Sequence, residues 1–315
     1  MTGVLADPGQ VDAWLLRVPI AGDLRVTLMN LPEDYDLHVF TREGAPVVES
    51  LNEGTEDDTL QVQGAEPGEY LAYVNSARGG TSPAPYTLLA QFSAAAPQVL
   101  AAPSPGRLLS SDDFSDPARG LFLNNQRGTG RLTVSPGATH PFDWDYAYAG
   151  GALIGHVRGP YPESGYWFGR EVEPADSRMF GDFAVEARAR ATRSPDEAEY
   201  AVGYDPTPSS AYRFLVTPGV QRYRVHWLQE RRNLAVGRSS AVNPGAGENL
   251  LRIDVRGDTL LSFINGQEVA RVQHAGLAVR GGSVRIGFYA LSGGPLVDGD
   301  VEVRFTEFRV YSLDP

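Results

Sequence analysis

Short runs in which apolar and polar residues alternate, broken repeatedly by glycine and proline, make up most of the chain. Leu24, Val26 and Leu28 alternate with Arg25 and Thr27, and the pairs Leu37/Val39 and Leu60/Val62 repeat the spacing. An extended strand sends successive side chains to opposite faces, so this period predicts half-buried strands. Seven are predicted in the first part of the chain: Val11–Pro19, Asp23–Asn30, Tyr35–Thr41, Pro46–Ser50, Thr59–Val62, Glu69–Asn75 and Tyr86–Phe92. So many short strands in about 90 residues predict a small antiparallel sandwich. Further on, Phe183–Arg188 and Leu251–Arg256 alternate in the same way, while Gly257-Asp258 and Asn265-Gly266 supply hairpin turns. Val284–Tyr289 and Val301–Tyr311 read as closing strands. No segment keeps a 3.6-residue period over three turns, so no helix is predicted.

Residues 93–107 have small side chains, three prolines and no periodicity, which predicts a Pro/Ala-rich linker. The expected fold class is therefore all-β: two β-sandwich (jelly-roll) domains, 1–92 and 108–315, joined by that linker. The chain's 315 residues, 42% of them hydrophobic, suffice for two ordinary cores. The net charge of −12 is uneven: residues 1–95 hold 14 acidic residues against 4 arginines, and the remainder holds 25 against 23. A surface this acidic makes nucleic acid a poor partner. Cysteine is absent, which excludes disulfides, thiolate metal sites and a cysteine nucleophile. All 27 basic residues are arginine, which excludes Schiff-base and Walker-type lysine chemistry. No apolar run approaches the roughly 18 residues that span a bilayer. Met1-Thr2-Gly3-Val4 does not open a basic-then-apolar export signal, so the protein is expected either to be cytosolic or to be exported with its signal outside this sequence.

Two resemblances add to this reading. Pro8-Gly9-Gln10-Val11-Asp12-Ala13-Trp14, Asp34-Tyr35-Asp36-Leu37-His38-Val39-Phe40, Pro67-Gly68-Glu69-Tyr70-Leu71-Ala72-Tyr73-Val74 and Tyr86-Thr87-Leu88 follow one another over residues 1–92. This segment resembles the bacterial pre-peptidase C-terminal (PPC) domain, which implies a sandwich attached to an exported protein. Asp112-Asp113-Phe114-Ser115-Asp116-Pro117, Phe180-Gly181-Asp182-Phe183-Ala184-Val185-Glu186, Asn249-Leu250-Leu251-Arg252-Ile253, Phe263-Ile264-Asn265-Gly266 and Val301–Val310 follow in order over residues 108–313. They resemble the concanavalin-like jelly rolls, laminin-G-like and family-16-like, and the resemblance implies that the final strand pairs with the first.

Candidate chemistry is sparse. Eleven acidic residues stand against one arginine between Glu33 and Glu69. Calcium takes six to eight oxygen ligands, and alternate residues of a strand share a face, so Asp34 and Asp36 with Asn52, Asp57 and Asp58 are the candidate ligands. The competing reading is a solvated acidic edge that discourages sheet-to-sheet association. An aromatic cluster runs from Phe142 to Phe168 and includes Tyr161 and Tyr166. Aromatic faces stack on sugar rings and neighbouring acids bond hydroxyls, so Trp144, Tyr146, Tyr148 and Trp167 with Asp143 and Asp145 are candidate ligand contacts; core filling is the alternative.

Catalytic signals are wanting. Family-16 glucanases carry Glu-x-Asp-x-Glu on one strand, whereas Glu171-Val172-Glu173 and Glu197-Ala198-Glu199 each lack the central acid. No Gly-x-Ser-x-Gly elbow or paired histidine motif occurs. The expectation is thus a non-catalytic binding or accessory module of an exported bacterial protein, outside the cell or on its surface. It would contact carbohydrate or a surface or protein ligand, with calcium as a possible stabiliser of the first domain. The alternatives are a structural or protein–protein module such as a sensor ectodomain or spacer and, behind it, a glycoside hydrolase.

Overall fold

Alternation becomes pleat along nearly the whole chain in the computed structural model. The structure describes residues 1–94 and 106–314 except 43, 45, 51, 66, 135–137, 160–166, 175–177, 180, 195, 197, 231, 280 and 292–298. Most of the predicted linker therefore lies outside the described residues. The first strands are β1 (Thr2–Gly3), β2 (Val11–Val18), β3 (Gly22–Met29), β4 (Tyr35–Thr41), β5 (Pro46–Ser50), β6 (Asp58–Ala65), β7 (Gly68–Ser76) and β8 (Tyr86–Ala94). Then come β9 (Arg107–Asp112), β10 (Gln126–Val134), β11 (Ala138–Ala149), β12 (Ala152–Gly159), β13 (Trp167–Val172), β14 (Arg178–Met179), β15 (Phe183–Arg193) and β16 (Ala198–Thr207). The last are β17 (Ser210–Thr217), β18 (Arg222–Trp227), β19 (Arg232–Arg238), β20 (Asn249–Arg256), β21 (Thr259–Ile264), β22 (Gln267–Gln273), β23 (Gly282–Leu291) and β24 (Gly299–Ser312). Among the described residues the helical content is two 3₁₀ turns, Pro218–Val220 and Ala275–Ala278. The all-β expectation holds.

Two compact units form, residues 1–100 with 222–240 and residues 101–221 with 241–315. In the first, one sheet has the order β2-β7-β4-β5 and the other runs β1-β8-β3-β6-β19-β18. Leu24, Val26, Leu28, Leu60, Val62 and Val74 turn into the core between them. The hairpin β18–β19 reaches this unit from far along the chain. β19 lies parallel to β6, with Gly237 opposite Gln61 and Arg238 opposite Val62. Val236 is buried in the same core. Asn52 fastens the hairpin in both directions, accepting from the Asn233 amide at 2.8 Å and donating to the Asn233 carbonyl at 3.2 Å. A bare β6 would expose a row of unpaired backbone groups, and the hairpin covers it.

In the second unit, the sheet β17-β16-β23-β13, with β14 also paired to β23, faces the sheet β10-β11-β12-β24-β15-β20-β21-β22. Aromatic side chains fill the core: Phe183 meets Tyr204 at 4.8 Å and Tyr146 meets Phe288 at 6.2 Å. The predicted Asn265-Gly266 turn joins β21 to β22, with φ of 50° and 85°, the left-handed pair that a two-residue hairpin requires. β24 pairs with β9, Phe308 opposite Asp112, so the last strand closes on the first of this unit.

Charged side chains cover the other face of the larger sheet. Glu302, 8% exposed, meets His156 Nε2 at 3.0 Å and Arg304 Nε at 2.8 Å, and accepts from the Thr192 hydroxyl. Burial alone would raise its carboxyl, but the bonds from Thr192, Arg304 and His156 outweigh it and hold it at about 2.

Val236→Ala should cost about 1.5–3 kcal/mol and accelerate amide hydrogen exchange in β6, with little change in β16 or β23. Because Glu302 is depressed, its contribution is complete above its unfolded pKa near 4.5 and is lost as pH falls towards 2. Glu302→Gln should remove up to about 3 kcal/mol of acid-dependent stability, read as a flatter Tm-against-pH curve in that window.

Candidate functional site

The acidic residues singled out in the first unit part company according to pleat. Asp57 is exposed, whereas Asp58 beside it is 1% exposed. The Asp58 Oδ1 accepts from Ser50 at 2.9 Å and from the Asn52 amide, while its Oδ2 has no hydrogen-bond partner among the described residues. Burial pushes this carboxyl up to about 7, against those two hydrogen bonds and with help from the charges of Asp36 and Asp34. Asp36 is likewise pushed to about 6, chiefly by burial. Asp34 accepts from the Gly54 amide at 3.0 Å. Among the described residues no three Asp, Glu or His side chains are grouped so as to hold a metal ion.

The aromatic candidates lie in the second unit. Tyr146 and Tyr148 are buried, and Tyr148 donates to Asp112 at 2.6 Å and accepts from the Phe122 amide at 3.0 Å. Trp144 is half-buried, parallel to Tyr146 at 6.1 Å, with the Arg170 guanidinium 4.5 Å from its ring centre. The indole lies against Gly128, where a Cβ would come within 2.6 Å of it. Asp143 is exposed; Asp145 meets His156 at 2.8 Å and Arg158. Trp167 pairs with Leu291 through its backbone, and its side chain, like Tyr161 and Tyr166, lies outside the described residues.

A different constellation occupies the smaller sheet of this unit. Tyr200, Val202 and Tyr204 of β16, Phe214 and Val216 of β17, and Ile286 and Phe288 of β23 are buried on one face. The intervening positions therefore share the other: Glu171 of β13, Tyr289 and Arg285 of β23, Glu199 and Asp205 of β16, Arg213 and Thr217 of β17. Glu171, Gly287, Ala201 and Leu215 form one row across the four strands. Small residues in that row and the next let long polar side chains lie flat. A Cβ at Gly203 would come within 2.5 Å of Arg213, and one at Gly287 within 2.3 Å of the Tyr289 hydroxyl.

Charges alternate along this face. Arg213, 2% exposed, forks onto both carboxylate oxygens of Glu171, and its other terminal nitrogen reaches Asp205. Tyr289 donates to Glu171 at 2.7 Å. Arg285 continues the series, binding Glu173 at 2.8 Å and Asp205. Thr217 donates to Glu199 at 2.8 Å. Burial would raise the Glu171 carboxyl, but the hydrogen bond and charge of Arg213, with the Tyr289 bond, hold it below the usual carboxylate range. The series ends at a cleft of about 340 Å³ lined by Glu173, Asp205, Pro206, Thr207, Ser283 and Arg285. A larger cleft, about 510 Å³, lies beside β9 and β24. Its acids are already engaged: Asp112 accepts from the Phe114 and Leu121 amides, Asp113 from Ser115 and Asp116 from the Ala118 amide, while Glu307 pairs with Arg188 and Arg309. The alternating face is accordingly the candidate site.

No protein-family profile matches the chain, and no curated protein matches it in sequence. Solved structures do match. The laminarinase catalytic domain from Thermotoga maritima is 11% identical, with a TM-score of 0.45 over 67% of this chain and 100% of that one. A structure described under endo-acting O-glycanases that initiate mucin breakdown, expressed by human gut microbiota, is 11% identical, with a TM-score of 0.44 over 66% and 100%. A non-specific endo-β-1,3(4)-glucanase of family GH16 is 13% identical, with a TM-score of 0.43 over 69% and 95%.

The expectation of a non-catalytic module is to be corrected: the matched structures are those of glycosidases, and at this identity they speak for the fold alone. The expectation rested on a missing one-strand motif. Here acids from β13 and β16, strands that flank β23, meet through the arginines between them, a grouping invisible to a search along one strand. At 10–13% identity the chemistry has to follow from this chain's own residues.

The raised Asp58 carboxyl means that the fold favours its protonated form, so stability should fall as pH rises from about 4 to about 7. Asp58→Asn, measured in EDTA, should abolish that fall and gain at most about 4 kcal/mol at pH 8, read by urea denaturation.

Proposed function

We propose that the second unit is a glycoside hydrolase whose reacting carboxylates come from Glu171, Glu173 and Asp205. The observation that carries the reading is the convergence of these three acids, one on β13, one just beyond its end and one on the non-adjacent β16, on one cleft-ended sheet face. Asp205 stands one guanidinium away from Glu171 across Arg213, and one guanidinium away from Glu173 across Arg285. Hydrogen-bond lengths on either side of a guanidinium set carboxylates roughly 5–7 Å apart, within the range that glycosidic cleavage uses. One acid must protonate the leaving oxygen, while the other supports the oxocarbenium-like centre or activates water. Glu173 and Asp205 line the open cleft, so a glycosidic bond entering it lies nearest to them. The two arginines set the spacing and keep the partner carboxylate ionised. The first unit, read as a PPC-like sandwich, would be an accessory domain of an exported protein.

Reducing-end release from a panel of β-glucans and mucin-type glycans tests the reading. Glu173→Gln and Asp205→Asn should each lower kcat by about 10²–10⁴ on the polysaccharide that is cleaved. The residue that protonates the leaving group will regain most of its loss on an aryl glycoside whose leaving group needs no proton. Full activity in the Glu171→Gln, Glu173→Gln and Asp205→Asn variants, or no cleavage of any glycan by the unaltered chain, would refute it.

A further inference from the structure

The first unit is acidic in its N-terminal part, yet the hairpin that completes it is basic, with five arginines and one glutamate between residues 222 and 240. Two of those arginines face acids. Arg222 meets Glu49 at 3.4 Å, and Arg232 meets Glu56. Arg238 is placed otherwise. Its cross-strand partner on β18 is Arg222, and its parallel partner on β6 is the buried Val62. Like charges directly opposite one another in a sheet are destabilising. Among the described residues no carboxylate lies within ion-pair distance of Arg238, and its buried Nε has no acceptor. Glu49, the acid on this side, is shared by Arg222 and His38. Burial and the charge of Arg222 both press on the Arg238 guanidinium, which is pushed below the usual arginine value. A half-buried cation beside a second cation is costly unless a negative group joins it.

We propose that Arg238 and Arg222, on adjacent positions of β19 and β18, form a binding site for an oxyanion: a sulfate or carboxylate, free or carried on an acidic glycan. A guanidinium presents two parallel N–H groups that match such a group in bidentate fashion, which a lysine cannot do. Arg224, two residues along β18 and on the same face as Arg222, extends the positive field.

Calorimetric titration of the full chain with sodium sulfate, at ionic strength held constant with sodium chloride, tests the proposal directly. Saturable binding is expected, weakened roughly 10–100-fold by Arg238→Gln. In chloride alone the same variant should melt no lower than the parent, because it removes a like-charge pair; a purely structural arginine would make it melt lower. Should the glutamine variant not fold, Arg238→Lys keeps the charge without the fork and should still weaken sulfate. Tighter binding of dextran sulfate than of sulfate, with none of neutral dextran, would assign the oxyanion to a glycan; equal binding would assign it to the free ion. Absence of saturable binding, or equal affinity in the parent and Arg238→Gln, would overturn the proposal.

Discussion

Every strand must find a hydrogen-bonding partner along its length, and in this protein the partners come from far apart in the chain. β6 is completed by β19, β9 by β24 and β13 by β23. Such pairings carry a loop-closure cost that grows slowly with separation, so they persist where apolar burial on both strands offsets it. Val236 illustrates the balance: its strand closes the β6 edge only because the same residue enters the core of the first unit. The first unit is consequently discontinuous, and its stability depends on residues more than a hundred positions beyond its last N-terminal strand.

Long-range pairing also places the polar chemistry. In the second unit a strand buried on one face with aromatic and branched residues must send its alternate positions to the other, where Asp205 of β16 meets Arg213 of β17, Arg213 forks onto the β13 acid Glu171, and Glu199 of β16 accepts from Thr217 of β17. Removing two charges from water is repaid only when geometry satisfies both. The forked Arg213–Glu171 contact, the Tyr289 hydroxyl and the flat path over Gly203 meet that condition. Sheet register therefore sets the spacing of the carboxylates, and the proposed hydrolysis depends on that spacing.

Much of the strand pattern was legible in advance. Leu24, Val26 and Leu28 alternate in the sequence and are buried, and Asn265-Gly266 forms the two-residue turn that its residue types favour. The candidate site was legible only in fragments. Glu171 and Glu173 were visible as a pair of acids two residues apart, but Asp205 and the arginines that join it to them lie on other strands. The acidic run shows the same limit. Asp57 and Asp58 are identical in residue type and adjacent, yet one is solvated and the other buried against Ser50 and Asn52.

The sequence by itself determined the class of structure: all-β, Gly- and Pro-punctuated, acidic at its start, free of cysteine and lysine chemistry. Period-two alternation is a local property, set by pleat geometry and by the transfer of apolar side chains from water. Tertiary structure decided which strand lies beside which, and hence where the hairpin 222–240 belongs, which acids meet in the cleft and which arginine faces another. Those choices depend on pairing register, and a shift of one residue would turn every side chain of a strand to the opposite face.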